Sequence, residues 1–438
     1  MSVSSGCAVG QSRKLWALAG FLCIAGAHTA RSDELADLRR ELEQTRAKLT
    51  SLEARIERAE RAALEAEGDK AQAGGEKNFT VYGFTQLDYI QDFERSHPDW
   101  ESTLRPSRIP TTEGLYGSDG QASLSVRQSR LGVVANLPVA DDSIKTVFEF
   151  DLFGAGADEG QTTIRVRHAY GQWKSVLAGQ TNSLFMDGDV FPNVIDYWGP
   201  AGMVFLRNPQ IRWTPISGSQ SFAVALEKPG TDVDSGLLGA VGFNLQGKQP
   251  LPDLTAQYRL TGERGHFQVA GILRDLAYEN IGSADSEPSG EDLGWGVNLS
   301  SSYKLGAQTL RTSVVYGEGI ATYMNDGGMD MAPDSYEASD LEAVPLLGVV
   351  AYLEHRWSER LSNAAGYSFT QVDNYALQLN GAFEKGEYAS MNLLYAPSDK
   401  LLMGAEYLWG QRTDFGGASG TDNRLQFSVK YSFSSSDF

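Results

Sequence analysis

The sequence predicts an all-β transmembrane barrel of about sixteen antiparallel strands, with a short N-terminal α-helical coiled coil ahead of it. Three observations carry this expectation. From Phe79 to the end, apolar and polar residues alternate over runs of about ten residues, the length of a tilted membrane strand. Along the same stretch, tight turns and long connections take turns. The one sustained seven-residue repeat lies before it.

The leader comes first. Leu15–Ala27 is apolar, follows Arg13 and Lys14, and ends in Ala25-Gly26-Ala27. A bilayer crossing takes roughly 20 residues, so the run is too short to span. A basic start, a short apolar centre and small residues at the exit mark a signal peptide over 1–27. Cleavage is placed after Ala27, with Ala30 as the second choice. Cys7 and Cys23 are both inside this leader, so the mature chain has no thiol for a disulfide or a thiolate metal site. Cys23 follows Phe21-Leu22, where a lipidation signal wants small residues.

Residues 28–67 read as the coiled coil. Leu35, Leu42, Leu49, Ile56 and Ala63 fall at position a, and Leu38, Thr45, Leu52, Ala59 and Ala66 at position d. One apolar stripe on a helix needs a partner, and the simplest is its own copy. Arg55-Ile56 with Glu60, and Lys48-Leu49 with Glu53, resemble the trimer-favouring signature of short coiled coils. Residues 68–78, with Gly74-Gly75, read as the linker into the barrel domain at 79–438.

Within 79–438 the strands are expected at 79–92, 122–137, 143–153, 162–173, 175–183, 203–214, 219–228, 252–263, 265–278, 291–305, 307–319, 345–357, 360–372, 387–396, 400–413 and 423–433. In the run 293–305, Leu293, Trp295, Val297, Leu299, Tyr303 and Leu305 share a face opposite Asn298, Ser300 and Ser302. In the last strand Leu425, Phe427, Val429, Tyr431 and Phe433 oppose Gln426, Ser428 and Lys430. Even strands end in tight turns, such as Lys174, Gly306 and Ser358-Glu359. Odd strands lead into long segments, such as Phe93–Gln121, Leu184–Gly202, Pro229–Leu251 and Ile320–Val344. Short periplasmic turns and long outer loops are the habit of outer-membrane barrels. Trp213, Tyr303, Trp357, Tyr395 and Tyr431 would form an aromatic belt at the turn side, and Tyr89, Trp295, Tyr316 and Trp409 one at the loop side.

A barrel of this size leaves an aqueous lumen. Taking Ile164, Val166 and Tyr170 as lipid-facing turns Arg165 and Arg167 inward. The same parity makes Arg130, Arg212, Arg259, Arg274, Arg311 and Arg356 pore-lining. Arg127 falls on the outer face by strict count, so either a bulge re-aims it or it lies in a subunit contact. The third long loop, 184–202, is too apolar for open water. It is expected to fold into the lumen as a constriction, with Asp187, Asp189 and Asp196 opposite the arginines. A purely structural alternative is that the arginines only pair with Glu149, Asp151, Glu354 and Glu406.

The formal net charge of −19 leaves no basic face for nucleic acid. Much of the negative charge sits in outer loops. Residues 318–342 and 275–292 carry acidic side chains and no Lys or Arg. They read as a solvated rim, with divalent cations bridging lipopolysaccharide as the functional alternative. No cofactor is expected. His28, His97, His168, His266 and His355 lack metal-ligand spacing, and His168 and His355 are expected to face lipid or a subunit contact. No catalytic constellation stands out.

Several motifs occur in a telling order: Tyr82-Gly83-Phe84, Arg127-Gln128-Ser129-Arg130-Leu131-Gly132, Phe148-Glu149-Phe150-Asp151 and Arg165-Val166-Arg167-His168-Ala169-Tyr170-Gly171. Gly179-Gln180-Thr181, Phe185-Met186-Asp187, Gly199-Pro200-Ala201-Gly202 and Pro209-Gln210-Ile211-Arg212 follow. This series resembles the DcaP-type trimeric porins of the Gram-negative outer membrane over nearly the whole mature chain. Asn182, where an aromatic is usual, departs from the pattern. So does Phe438, which is off the parity of Leu425–Phe433. The resemblance implies a non-enzymatic homotrimer in outer-membrane lipid that passes small anionic solutes, dicarboxylates being the namesake class. A phosphate-selective porin is the alternative. A structural tether or a barrel enzyme would be alternatives of another class.

Overall fold

The computed structural model describes residues 78–140, 142–154, 162–335 and 341–437. The signal peptide, the coiled coil and all of the linker but Asn78 lie outside the described residues, as does Phe438.

Sixteen strands form one closed antiparallel sheet. In chain order they are β1 (Asn78–Asp92), β2 (Arg130–Val139), β3 (Asp142–Asp151), β4 (Arg165–Trp173), β5 (Val176–Asn182), β6 (Arg207–Ile216), β7 (Gln220–Glu227) and β8 (Asp253–Gly262). Then come β9 (Gly265–Asn280), β10 (Ser289–Leu305), β11 (Gln308–Glu318), β12 (Pro345–Arg356), β13 (Leu361–Val372), β14 (Phe383–Ser398), β15 (Leu401–Asp414) and β16 (Ser419–Ser434). They match the expected strands one for one. Gln121–Ser125 prolongs β2 along β1, and Leu245–Lys248 prolongs β8 along β9. The barrel closes where β1 meets β16, from Tyr82 opposite Ser434 to Asp92 opposite Arg424. Closure leaves no open sheet edge, the condition for a β-structure to sit in lipid.

The turns fall after even strands. Gly306, at a φ of 65°, shapes the two-residue turn between β10 and β11, a backbone state that costs glycine little. Outside, the alternation produces an apolar belt. On β16, Phe427, Val429 and Tyr431 are exposed, while Gln426 and Ser428 are buried. Trp213, Tyr303, Trp357, Tyr395 and Tyr431 are exposed at the turn side, as aromatic rings at a headgroup level would be.

The interior departs from the expected polar lining. Apolar side chains enter the inner face in the loop-side half of β9 and β11–β15, beside buried polar groups such as Arg274, Ser368 and Thr370. Ile272, Val315, Leu346, Val350, Tyr352, Tyr388 and Leu408 pack there against loop residues Leu104, Ile109, Phe185, Met203, Tyr323 and Met324. The long loops therefore fold inward and build a core inside the barrel. Gly202 and Gly348 meet backbone to backbone in this region, and a Cβ on either would collide with main-chain atoms.

Register also corrects three side assignments. Arg167 is an extra residue between Val166, opposite Phe150, and His168, opposite Glu149. This bulge restarts the alternation, so Arg167, His168 and Tyr170 all lie on the inner side, and neither His168 nor Tyr170 faces lipid. Likewise the ladder breaks between Ser125 and Arg130. Arg127 is buried there and donates to the Gly154 carbonyl at 3.0 Å, which puts it inside.

Candidate functional site

The segment between β5 and β6, residues 183–206, enters the barrel and follows its inner wall. Buried backbone polar groups need partners, and the wall supplies them strand by strand. Asn298 on β10 donates to the Phe185 carbonyl at 2.8 Å, and Gln268 on β9 to the Met186 carbonyl at 3.2 Å. Arg311 on β11 donates to the Asp189 carbonyl. Glu354 on β12 accepts the Asn193 N–H at 2.8 Å, and Asn392 on β14 donates to the Asn193 carbonyl at 2.8 Å. Glu406 on β15 accepts the N–H groups of Ile195 and Asp196, each at 3.0 Å. Gln128 and Gln426 donate to the Ile195 carbonyl at 2.8 and 3.2 Å. Of these wall residues, the sequence reading placed Arg311 in the lumen with Glu354 and Glu406 as arginine partners and put Asn298 and Gln426 on the polar face, but gave none of them as a loop anchor, and it missed Gln268 and Asn392. Their only signal there was being polar on an inward parity.

The three aspartates of this loop have different positions. Asp187 Oδ2 lies 2.6 Å from His266 Nε2 and accepts from the Ser300 hydroxyl at 2.7 Å, and Arg259 is 3.5 Å from its other oxygen. Burial pushes the Asp187 carboxyl up, but the hydrogen bonds from His266 and Ser300 outweigh it and leave the group below its ordinary value. Asp189 pairs with Arg259 and is exposed. Among the described residues Asp196 forms no ion pair with an arginine, though the charge of Arg424 acts on it. It accepts from the Thr103 hydroxyl (2.8 Å), the Leu104 and Gly199 N–H groups (3.1 Å each) and the Tyr388 hydroxyl (3.2 Å). Burial pushes its carboxyl up against those hydrogen bonds. So of the expected arginine wall Asp187 meets Arg259, and Asp196 bonds none of it. They fasten the loop, because a buried carboxylate is tolerable only where N–H and O–H groups surround it.

The arginines divide into three groups. Arg130, Arg165 and Arg167 come together on β2 and β4. Arg165 bonds Asp151 at 2.8 Å, while Arg167 bonds Glu149 at 2.7 Å and Asp151 at 3.0 Å. Arg130 is 3.5 Å from Glu149. The Tyr197 hydroxyl, from the inserted loop, donates to Asp151 at 2.7 Å and joins the group. Arg259 and Arg311 hold the loop from the opposite wall, and Arg311 also bonds Glu354 at 2.7 Å. The remaining three stand apart. Arg212 donates to Gln210 at 3.0 Å. Arg356 is exposed at the turn end of β12. Arg274 was expected to line the pore, but its side chain is 0 % exposed beneath the loops, paired with Asp253 (3.2 Å) and Asp330 (2.9 Å). Asp330 and Asp326 are likewise buried, the latter on Arg105, so part of the acidic loop beyond β11 points inward and is not a solvated rim.

Between the inserted loop and the first arginine group lies a cavity of about 340 Å³. Met186, Phe191, Val194 and Ile195 form its loop side, and Arg130, Arg167, His168, Arg207 and Lys430 its wall side. Arg207, absent from the sequence-based set, has its guanidinium 4.8 Å from the Phe205 ring centroid. Among the described residues Arg207 and Lys430 make no ion pair, and the Arg207 Nε is buried without a hydrogen-bond partner. Glu149 and Asp151 are thus the two carboxylates paired with this wall, and its cations outnumber them. Such a space suits a small anion better than a cation.

The DcaP outer membrane protein family matches residues 39–433. The crystal structure of the outer membrane channel DcaP of Acinetobacter baumannii superposes with a TM-score of 0.69 at 25 % identity, over 82 % of this chain and 97 % of that one. An anion-selective porin from Comamonas acidovorans has a TM-score of 0.53 at 8 % identity, over 82 % and 100 % of the two chains, and so shares the fold alone. OmpT of Vibrio cholerae is similar at a TM-score of 0.50 and 12 % identity, over 82 % and 98 %. No curated protein matches the chain.

Proposed function

Because the chain belongs to the DcaP outer membrane protein family, we propose that it is a porin of the outer membrane, a channel and not an enzyme, that passes small anionic solutes of the dicarboxylate kind by diffusion. The observation that carries the anion preference is the excess of guanidinium and ammonium groups over carboxylates around the 340 Å³ cavity. The inserted loop 184–202 narrows the passage there. Its apolar side chains face the basic wall, and Asp196, which also borders the cavity, is held by its own hydrogen bonds. A dicarboxylate can meet two separated cations at once, which an inorganic monoanion cannot.

The assembly we propose is a homotrimer in outer-membrane lipid and lipopolysaccharide, with residues 1–27 removed, 28–67 as a periplasmic coiled coil, and 68–78 as the linker. Purified protein in planar bilayers under a KCl gradient tests the channel reading. The reversal potential should report anion preference, and succinate should reduce the chloride current more than phosphate does. A cation preference would refute the reading.

A further inference from the structure

A second charged cluster sits at the loop end of the seam between β1 and β16, away from the cavity. Asp92 ends β1, Glu94 follows two residues on, and Asp422 lies on β16. One carboxylate oxygen from each of the three lies within 4.8 Å of the others. Arg424, opposite Asp92 in the ladder, is fully buried. It reaches Asp92 Oδ2 at 2.8 Å and Asp422 Oδ2 at 3.1 Å. That accounts for one oxygen of each aspartate. Asp92 Oδ1 and Asp422 Oδ1 are both buried and accept no hydrogen bond. Glu94 is held in place by the N–H of Asn423 at 2.6 Å and its Nδ2 at 2.9 Å. One guanidinium therefore serves both aspartates, each of which keeps an orphaned, desolvated oxygen, and the Glu94 carboxylate adds a third negative charge beside them. Buried charge without a partner is strongly unfavourable.

We propose that Asp92, Glu94 and Asp422 bind a divalent cation, with Ca²⁺ as the fitting ion, and that this ion clamps the first strand to the last. All the donors are carboxylate oxygens, which select a hard cation. Ca²⁺ sits roughly 2.3–2.6 Å from its ligands, so oxygens sharing one ion lie at most about 5 Å apart, a limit this cluster meets. Water completes the shell. The ion removes the excess negative charge and gives both orphaned oxygens a partner.

The test uses the full chain refolded in detergent without lipopolysaccharide, which itself binds divalent cations, and then stripped with EDTA. Calorimetric titration with CaCl₂ should show one site per chain, and the thermal midpoint should rise with added CaCl₂. Asp92→Asn combined with Asp422→Asn should abolish both effects. Glu94→Gln leaves the buried pair intact and should weaken binding at least about tenfold, so it decides the matter if the double variant does not fold. A wild type with no binding heat and a Ca²⁺-independent midpoint would overturn the proposal, and would mean that the two aspartates share a proton. Unchanged Ca²⁺ binding in Glu94→Gln would overturn it as well.

Discussion

The guanidinium of Arg207 lies 4.8 Å from the centroid of the Phe205 ring, and among the described residues no carboxylate pairs with it. The ring supports the cation without neutralising it. Arg207→Gln removes one uncompensated charge and leaves the packing largely in place. At contact distance in water a unit charge is worth about 1 kcal/mol, which corresponds to roughly a fivefold change in a permeability ratio. The reversal potential in a KCl gradient should therefore move towards zero by that order. An unmoved potential would mean that permeating ions never approach Arg207.

Asp187 links stability to pH. Its folded carboxyl lies below the ordinary value, so the folded state binds its proton less tightly than the unfolded chain does. The resulting stabilisation is present above the usual aspartate range and is lost as pH falls through the lowered folded value. Asp187→Asn should thus lower the thermal midpoint at neutral pH, and the gap from wild type should close on acidification below about pH 4. A constant gap at every pH would leave packing as the whole effect.

Asp196→Asn tests the loop anchor. The carboxylate accepts four hydrogen bonds, two of them from N–H groups, while an amide offers one acceptor oxygen and adds two donors. Leaving buried donors unpaired costs about 1–3 kcal/mol each. The variant should melt several degrees lower, with anion preference close to that of wild type. A large selectivity change at unchanged stability would place Asp196 in the ion path after all.

Glu406 holds the inserted loop through two N–H groups and Asn392 Nδ2. Glu406→Ala should let the loop move, giving higher mean conductance and greater open-channel noise in single-channel records. Traces that cannot be told from wild type would mean the loop's other anchors suffice.

Arg105 lies 4.3 Å from the Trp100 ring and 4.2 Å from the Trp198 ring while bonding Asp326. Its planar fork serves stacking and ion pairing together, which a lysine does not reproduce. Both Arg105→Ala and Arg105→Lys should speed proteolysis within residues 93–120 of the detergent-solubilised protein. Wild-type cleavage rates in both variants would sink the latch.

The outer surface of the barrel was legible because lipid imposes one simple demand on alternate residues. β16 shows it plainly, with Phe427, Val429 and Tyr431 out and Gln426 and Ser428 in. The inner surface obeys two demands, and that is where the reading failed. On β12, Leu346, Val350 and Tyr352 face the loop core and Leu353 faces outward, so the strand reads as a continuous apolar run. One inserted residue at Arg167 reverses every later assignment on β4, and no residue type announces it. Arg207 was missed for a related reason. It opens β6 on the parity of exposed Ile211, yet its side chain lines the cavity where the strand leaves the loop. Asp187, Asp189 and Asp196 were found as a group because they share an apolar loop, but their partners come from strands up to 210 residues away.

The loop core also makes the barrel lopsided. Packed side chains fill the sector backed by β9 and β11–β15, while the open space runs beside β1, β2, β4 and β16. In the proposed channel, a solute's path therefore follows a gutter along one side, not the axis of a tube. A given change of charge should matter or not according to the compass bearing of its strand, whatever its depth. Substitutions in the filled sector should register as lost folding yield, and those along the gutter as altered current from a barrel that still assembles.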